Sequence, residues 1–167
     1  MAIKRIGVLT GGGDVPGLNS AIKSIVSAGY DKNYEIVGIR RGWEGLTHLN
    51  LEDPSSKARY VLPLNRDNTR TIDRTGGTML HTSRTNPAKM KSIPEHLKGF
   101  EFPKRESDKG ITFDLTKQVL KNIEGLRIDY LISIGGDDTL SYSSILNSQG
   151  VRIVAIPKTM DNDVRNT

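Results

Sequence analysis

Three short polar stretches carry the side chains of this sequence that are best suited to phosphate binding and proton transfer. They are TGGGDVPG at residues 10–17, GGDDTL at residues 135–140 and PKTMDND at residues 157–163. Each follows a short apolar run that is typical of a buried strand. Because ligands of open α/β sheets bind outside the carboxyl ends of the strands, the three stretches predict one shared site.

The first stretch has the composition of a phosphate-binding loop. Its three glycines, ending at Gly13, would let backbone N–H groups approach phosphate oxygens, and a helix beginning at Pro16 would add a favourable dipole. The pattern is neither a Walker A motif nor GxGxxG, because Pro16 stands where the third glycine belongs. An ordinary strand-to-helix turn is the alternative interpretation.

The second stretch places two carboxylates, Asp137 and Asp138, directly after a glycine pair. Adjacent like charges repel each other unless a cation compensates them. A Mg²⁺ ion held by a carboxylate and by substrate phosphates would supply that compensation. The alternative is that Asp138 caps a helix beginning near Thr139. The two roles are compatible, and we expect one role for each aspartate.

The third stretch combines Lys158 with Asp161 and Asp163 on a turn after a strand. A carboxylate at such a position can accept a hydroxyl proton during attack on phosphorus. An ammonium group can neutralise the charge that develops on the transferred group. The alternative is a solvated turn, because Asp and Asn are common turn residues.

Two further side chains are candidates for ligand contacts. Arg84, within GGTMLHTSRTNP at residues 76–87, could bind phosphate through paired hydrogen bonds, although most arginines are simply surface residues. Trp43 is either a packing residue or a flat surface beside a ligand. The three histidines show no metal-ligand spacing and are assigned no role.

Alternating strand and helix patterns must position these side chains. Strands are predicted at residues 3–9, 35–39, 129–134 and 151–156, and helices from Pro16 and at residues 65–74, 113–125 and 139–148. Residues 40–46 are predicted as a loop, and residues 86–110 as a long loop or a disordered segment. The alternation predicts one α/β domain over residues 1–167, a Rossmann-like three-layer α/β/α arrangement with a mostly parallel sheet.

The composition favours an anionic small-molecule partner. Lys and Arg number 24 against 19 Asp and Glu, a formal charge of +5, and only 5% of the residues are aromatic. Because zinc-finger spacing and RNP aromatic patterns are absent, a phosphorylated small molecule is a better candidate than nucleic acid. The lack of cysteine and of any membrane-length apolar run predicts a cytoplasmic protein without membrane contact.

Four stretches, in this order, resemble the phosphofructokinase family. They are IGVLTGGGDVPGLNSAI, GGTMLHTSR, SIGGDDTL and IPKTMDND. The resemblance extends from about residue 6 to the last residue. It implies magnesium-dependent phosphoryl transfer to the 1-hydroxyl of fructose 6-phosphate, which gives fructose 1,6-bisphosphate in glycolysis, and a homo-oligomer for the complete protein.

The resemblance also assigns the motif residues to four tasks. The catalytic residues would be Asp161, as the base for the sugar hydroxyl, and Lys158. The other positions would bind the phosphoryl donor (Gly13, Arg84, Asp138, Thr139), the sugar phosphate (Thr159, together with Asp161) and Mg²⁺ (Asp137, Asp163). Trp43 falls where ATP-using members place an aromatic ring beside adenine.

Asp138 and Lys158 bear on the identity of the donor. ATP-using bacterial members of the family typically carry glycine at both positions, whereas pyrophosphate-using members carry Asp and Lys. An aspartate fills space that the α-phosphate of a nucleotide would need and repels its charge. Pyrophosphate is therefore the predicted donor and ATP the alternative. A non-catalytic phosphate- or nucleotide-binding module is the alternative from another class.

The length of the chain adds a last expectation. Members of the family are considerably longer, and their second half supplies the basic residues that bind the sugar 6-phosphate and completes the first sheet. We therefore expect an N-terminal, donor-binding portion without the sugar-phosphate domain. Little or no turnover is expected from the 167 residues alone.

Overall fold

The computed structural model describes residues 3–108 and 110–162. The strands in this part of the chain are β1 Arg5–Thr10, β2 Glu35–Ile39, β3 Val61–Leu64, β4 Lys104–Ser107, β5 Gly110–Phe113, β6 Tyr130–Gly135 and β7 Ile153–Pro157. The α-helices are α1 Leu18–Asp31, α2 Trp43–His48, α3 Pro54–Tyr60, α4 Thr116–Gly125 and α5 Asp137–Ser148. Among the described residues, no helix combines the length and the apolarity that crossing a bilayer requires.

Five strands form the central sheet in the order β3-β2-β1-β6-β7. β1 pairs in parallel with β2 and β6, and β7 pairs in parallel with β6, whereas β3 is antiparallel to β2. Thr10 of β1 is in register with Ile134 of β6, and Gly135 of β6 with Pro157 of β7. The carboxyl ends of these three strands therefore lie side by side along one edge of the sheet.

Apolar side chains leave the sheet on both faces, because successive strand residues point to opposite sides. On one face Val8 packs with Ile22 and Val26 of α1. On the other face Leu9 belongs to a buried cluster with residues of α2, α4 and α5, among them Tyr142. The helices thus cover both faces of a mostly parallel sheet, which confirms the predicted three-layer α/β/α class.

Residues 40–46, which were predicted as a loop, include most of helix α2. The side chains of Trp43, Leu46 and Leu49 are buried on one side of this segment, at helical spacing that its glycines obscured in the sequence. The indole ring of Trp43 is only 2% exposed and meets the ring of Tyr142 edge-on, with 5.0 Å between the ring centroids. Trp43 is therefore a packing residue and offers no ring face to a ligand.

The predicted irregular segment 86–110 contains more regular structure than its polarity indicated. It has 3₁₀ turns at Pro87–Lys89 and Glu95–Leu97, and β4 pairs in antiparallel fashion with β5. Every residue of β4 is exposed, so the strand lacks the alternation that marks a half-buried strand. Residues 65–74, by contrast, contain less regular structure than predicted. The predicted helix is wrong, and only a 3₁₀ turn forms there, at Ile72–Arg74.

Strand β7 lies at the edge of the sheet within the described residues. Ile153 packs against the buried cluster, but the side chain of Val154 is 56% exposed and Ala155 is exposed as well. β7 therefore presents apolar surface and a row of backbone groups beside the carboxyl edge of the sheet.

Candidate functional site

The carboxyl ends of β1, β6 and β7 border a cavity of about 340 Å³. Its lining comes from the three polar stretches that follow these strands and from the segment 83–85. The lining residues are Gly12, Gly13, Ser83, Arg84, Thr85, Gly136, Asp137, Asp138, Thr139, Lys158, Thr159, Met160 and Asp161. The structure thus brings the described candidate residues of the sequence, except Trp43, to one cavity.

The glycine loop after β1 is held in place through its backbone. The amide of Gly11 donates to the carbonyl of Ile134 (2.8 Å), and the amide of Gly12 donates to the carbonyl of Ser83 (3.2 Å). Gly12 has a φ of 77°, a left-handed conformation that glycine adopts without steric cost. Because these two amides bind protein carbonyls, and the amide of Gly13 has no backbone acceptor in residues 3–108 and 110–162, Gly13 is the member of the glycine triplet best placed to contact a phosphate.

Two carboxylates stand at the start of α5. The helix begins at Asp137, two residues before the predicted start, and Gly136 occupies its N-cap without a side-chain hydrogen bond. Asp138 therefore lies within the helix, and the alternative interpretation, in which Asp138 is the cap, is wrong. Both carboxylates are exposed in the first turn, where the helix dipole favours negative charge, and neither has an ion-pair partner within residues 3–108 and 110–162.

The side chain of Thr139 packs between the loops that follow β1 and β6. It is 4% exposed, and a Cβ atom at Gly11 or at Gly135 would lie 2.4 or 2.6 Å from its Oγ1 atom. These glycines therefore leave the space that Thr139 fills. Packing accounts for the position of Thr139, and its contact with a donor stays a prediction.

Lys158 connects two of the loops around the cavity. Its Nζ atom donates a hydrogen bond to the carbonyl oxygen of Gly13 (2.5 Å), and its backbone amide donates to the carbonyl of Gly135 (3.0 Å). The side chain is partly buried, so a positive charge lies within the cavity lining. An ammonium group has three N–H donors, so two on Lys158 remain for an anion as far as the described residues go.

Arg84 brings a second positive charge to the cavity. Its side chain is exposed, and none of the described residues forms an ion pair with it. The neighbouring Ser83 is fixed by the hydrogen bond from the amide of Gly12. The cavity lining thus combines two cations, Arg84 and Lys158, with three carboxylates, a pattern suited to a phosphate group that arrives with a metal ion.

The turn after β7 carries the remaining candidates. Asp161 is exposed and Thr159 is partly buried, and both line the cavity. The adjacent Asn162 has a φ of 58°, so this segment is a tight turn, as its composition predicted. The metal role predicted for Asp163 falls outside the described residues.

The described residues include no cluster of three or more His, Cys, Asp or Glu side chains that could hold a metal ion. Mg²⁺ does not need such a cluster, because it keeps several waters and is usually bound by one or two carboxylates plus substrate phosphates. Asp137 and Asp161, which line the same cavity, fit that donor set.

Several lining residues were not singled out from the sequence. Ser83 and Thr85 flank Arg84, and Gly12 and Gly136 belong to stretches already recognised, so proximity in the sequence could have identified them. Met160 lies within the third recognised stretch, but its apolar side chain gave no reason to single it out. Its Cε atom lies 3.6 Å from the position that a Cβ atom would take at Gly13.

Comparison with known proteins finds similarity over almost the whole length of the chain. The family model for phosphofructokinase matches residues 5–167. A pyrophosphate--fructose 6-phosphate 1-phosphotransferase of Dictyoglomus thermophilum is 36% identical over 167 residues, which cover 100% of this chain and 39% of that protein. An ATP-dependent 6-phosphofructokinase 3 of Streptomyces coelicolor is 35% identical over 164 residues, which cover 98% of this chain and 39% of that protein.

Solved structures share the fold at lower identity. The chain matches a phosphofructokinase of Pichia pastoris in the T-state with a TM-score of 0.71 and 24% identity, covering 100% of this chain and 17% of that one. It matches a pyrophosphate-dependent phosphofructokinase of Marinobacter aquaeolei with a TM-score of 0.65 and 15% identity, covering 99% of this chain and 36% of that one. The chain therefore spans about 39% of the length of the curated relatives described above.

Proposed function

The chain belongs to the phosphofructokinase family, and on that basis we propose that it is the donor-binding portion of a pyrophosphate-dependent phosphotransferase. The proposed acceptor is the 1-hydroxyl of fructose 6-phosphate, and the product is fructose 1,6-bisphosphate. The observation that carries this proposal is the single cavity at the carboxyl edge of the sheet. It collects Gly13, Arg84, Asp138 and Lys158 for a phosphoryl donor and Asp161 for a hydroxyl proton.

The residues of the cavity account for each step of such a transfer. The hydroxyl oxygen attacks the terminal phosphorus and forms a new P–O bond, while the bridging P–O bond of pyrophosphate breaks and orthophosphate leaves. The carboxylate of Asp161 accepts the hydroxyl proton. Lys158 and Arg84 offset the negative charge on the transferred group and the leaving group.

The carboxylate of Asp137 would hold a magnesium ion that arrives with the donor, and Asp163 is proposed to support it. The bound ion would supply positive charge to the phosphate oxygens. In the proposal Asp137 therefore orients the donor, and the ion supplies a countercharge that no described residue gives to the two exposed carboxylates in the first turn of α5.

Two observations favour a compact donor. The exposed carboxylate of Asp138 stands in the cavity lining, where it would repel an additional phosphate. The indole of Trp43 is buried against Tyr142, so it cannot stack on an adenine ring. Pyrophosphate has neither an α-phosphate nor an adenine, and it leaves Lys158 within reach of its oxygens.

ATP is the second candidate donor. The relatives named above as pyrophosphate-dependent and as ATP-dependent are 36% and 35% identical to this chain, so overall similarity does not separate the two donors. The assignment therefore depends on the individual residues of the cavity.

The proposal extends beyond the described chain at two points. Because the chain spans about 39% of the curated relatives, the groups that bind the sugar 6-phosphate would lie mainly in the rest of the protein, with Thr159 as the contact from this portion. We expect the full-length protein to be a cytoplasmic homo-oligomer that acts in glycolysis.

Two measurements test the proposal. Calorimetric titration of the 167-residue chain with pyrophosphate in magnesium chloride should show binding that ATP does not match. Steady-state assays of the full-length protein should show fructose 6-phosphate turnover with pyrophosphate. Binding without turnover would instead favour the non-catalytic module, and turnover with ATP alone would favour the second donor.

A substitution at Asp138 tests the donor argument directly. In the full-length protein, Asp138→Gly should raise kcat/KM for ATP and lower the preference for pyrophosphate, because the change removes both the bulk and the charge. Ser144→Gly is the matched control, since Ser144 is an exposed residue of the same helix and lies outside the cavity lining. If Asp138→Gly brings no gain in ATP use beyond that of the control, the steric argument is wrong.

A further inference from the structure

Two buried threonine hydroxyls lie behind the cavity, at the end of β1. The Oγ1 atoms of Thr10 and Thr78 are 3.1 Å apart, and the two residues are 0% and 7% exposed. The hydroxyl of Thr10 also donates to the carbonyl oxygen of His81 (3.0 Å), and the amide of Leu80 donates to Oγ1 of Thr78 (3.1 Å). Neither threonine is part of the cavity lining.

These contacts fix the direction of every hydrogen bond in the group. A hydroxyl has one proton to donate, and Thr10 gives its proton to the carbonyl of His81, which can only accept. Thr78 must therefore donate to Thr10, and it accepts in turn from the amide of Leu80. The result is a one-way chain of hydrogen bonds, Leu80 to Thr78 to Thr10 to His81, in which each group is satisfied.

The segment of residues 75–83, which includes Thr78, is hydrogen-bonded near both ends to neighbouring elements. Upstream, the buried side chain of Asn19 on α1 donates to the carbonyl of Thr75 (3.0 Å) and accepts from the amide of Met79 (2.8 Å). Downstream, the amide of Gly12 donates to the carbonyl of Ser83 (3.2 Å). Arg84 is the next residue, and its charged side chain lines the cavity.

We propose that Thr10 and Thr78 are positioning residues for Arg84. The hydroxyl pair holds residues 78–81 against the end of β1. It thereby fixes the position of the loop that carries Arg84 relative to the glycine loop. The guanidinium then meets the phosphates of the donor from a fixed direction. This inference depends on the proposed function, because it takes the ligand of Arg84 to be the phosphoryl donor.

The argument depends on the burial of the pair. In the isosteric variant Thr10→Val, the hydroxyl proton of Thr78 loses its buried acceptor, and the carbonyl of His81 loses its donor. A buried polar group without a partner is destabilised far more than an exposed one, so the loop shifts until these groups find water. Bidentate recognition of phosphate by arginine is sensitive to such a shift.

The test compares donor and acceptor parameters in the full-length protein. For Thr10→Val we expect KM for pyrophosphate to rise about tenfold, as the loss of one charged hydrogen bond would give. KM for fructose 6-phosphate should stay within about twofold, since the acceptor does not contact Arg84 in the proposed arrangement. Thr10→Ser, which keeps the hydroxyl, should restore the donor KM.

Two comparisons separate positioning from simple destabilisation. Thr47→Val removes another fully buried hydroxyl, which donates to the carbonyl of Trp43 within α2, and it should lower the melting temperature without changing the donor KM. The double variant Thr10→Val/Arg84→Gln should lose no more donor affinity than Arg84→Gln alone, because Thr10 acts through Arg84. Independent losses that multiply would overturn the proposal.

A second readout needs no ligand. Hydrogen exchange of the amides of Leu80 and Gly12 in the 167-residue chain should accelerate at least tenfold in Thr10→Val and stay unchanged in Thr47→Val. If Thr10→Val does not fold, Thr78→Val takes its place with the same expectations. Unchanged exchange together with an unchanged donor KM would reject the hydroxyl pair as a positioning device. If exchange is faster in Thr10→Val but the wild-type protein binds no pyrophosphate, the proposed function is rejected instead.

Discussion

The ammonium group of Lys158 is hydrogen-bonded to the backbone carbonyl of Gly13, with 2.5 Å between the two atoms and 145 positions between the residues. This contact joins the turn after β7 to the glycine loop after β1. It keeps a positive charge at the loop that is proposed to receive the donor phosphates, so the charge is in place before the donor binds. Electrostatic groups held in position in advance need not reorganise during the reaction.

Replacement of Lys158 by methionine should therefore weaken pyrophosphate binding. Methionine keeps an unbranched apolar stem but removes the charge and the donor. Because hydrogen bonds to charged groups contribute about 1.5–3 kcal/mol, the dissociation constant should rise at least about tenfold. Calorimetric titration of the 167-residue chain measures the change. Lys32→Met, at an exposed lysine just after α1, is the control, and equal affinities in the two variants would exclude Lys158 from donor binding.

Asp161→Asn should abolish turnover without abolishing donor binding. The amide keeps the size of the side chain but cannot accept the hydroxyl proton, so kcat of the full-length protein should fall roughly 100-fold or more. Pyrophosphate affinity of the chain should change much less, because Lys158 and Arg84 remain. Asp67→Asn, at an exposed aspartate in a turn, controls for the loss of one negative charge. Retained turnover in Asp161→Asn would assign the proton to another group.

Gly11 and Thr139 should show strong energetic coupling. In Gly11→Ala the new Cβ atom would lie 2.4 Å from Oγ1 of Thr139, so the loop or the helix must shift. Overpacking of this kind costs about 1–3 kcal/mol of unfolding free energy. Thr139→Ala removes the two closest atoms, so the double variant should recover part of that loss, a coupling that urea denaturation of all four proteins measures.

The matched control is Gly76→Ala, because a Cβ atom at Gly76 has no described heavy atom within 4 Å. This variant should unfold at the wild-type urea concentration or slightly above it. If Gly11→Ala and Gly76→Ala prove equally stable, the packing of Thr139 between the loops is not as the structure describes it.

The stability of the chain should decline in mild acid because of His96. Burial, assisted by the proximity of His48, lowers the pKa of His96 below its ordinary value of 6.5. The unfolded chain therefore takes up this proton at a higher pH than the folded chain does, and folding stability is lost as the pH falls through about 6.5. Nε2 of His96 has no hydrogen-bond partner among the described residues, which agrees with a neutral ring in the folded state.

Urea midpoints at pH 7.5 and pH 5.5 measure this effect. His96→Gln should reduce the difference between the two midpoints, because glutamine does not titrate. His81→Gln, at an exposed histidine, is the matched control for the loss of an imidazole ring. A wild-type difference that persists in His96→Gln would mean that other groups are responsible for it.

The sequence predicted the location of the site because its signals are local. Each polar stretch directly follows an apolar strand, and parallel strands bring their carboxyl ends together whatever their order in the sheet. The start of α5 was two residues off, because the aspartates suggested a cap where they in fact occupy the first turn. The glycine loop was found, but the engagement of the Gly12 amide by Ser83 depends on a pairing over 71 positions that no local pattern reveals.

Strand β3 and helix α2 were not predicted, because the residues within each segment do not by themselves favour the structure that it adopts. Strand β3 contains Pro63, which normally argues against a strand, and it tolerates the proline because it lies at the edge of the sheet. Helix α2 contains Gly45, a poor helix former, at a position where a Cβ atom would lie only 2.1 Å from the carbonyl oxygen of Arg40. In both cases tertiary packing, rather than the intrinsic propensity of the segment, decides the structure.

The outer edge of β7 favours self-association of the 167-residue chain. No described strand pairs with the outer edge of β7, and a strand edge with exposed apolar side chains is a template on which another chain can add. We expect the purified chain to form dimers and larger species as its concentration rises, with the effect visible in analytical ultracentrifugation. Val154→Lys should keep it monomeric, because a charged side chain on the edge discourages pairing while the cavity at the strand ends is left untouched.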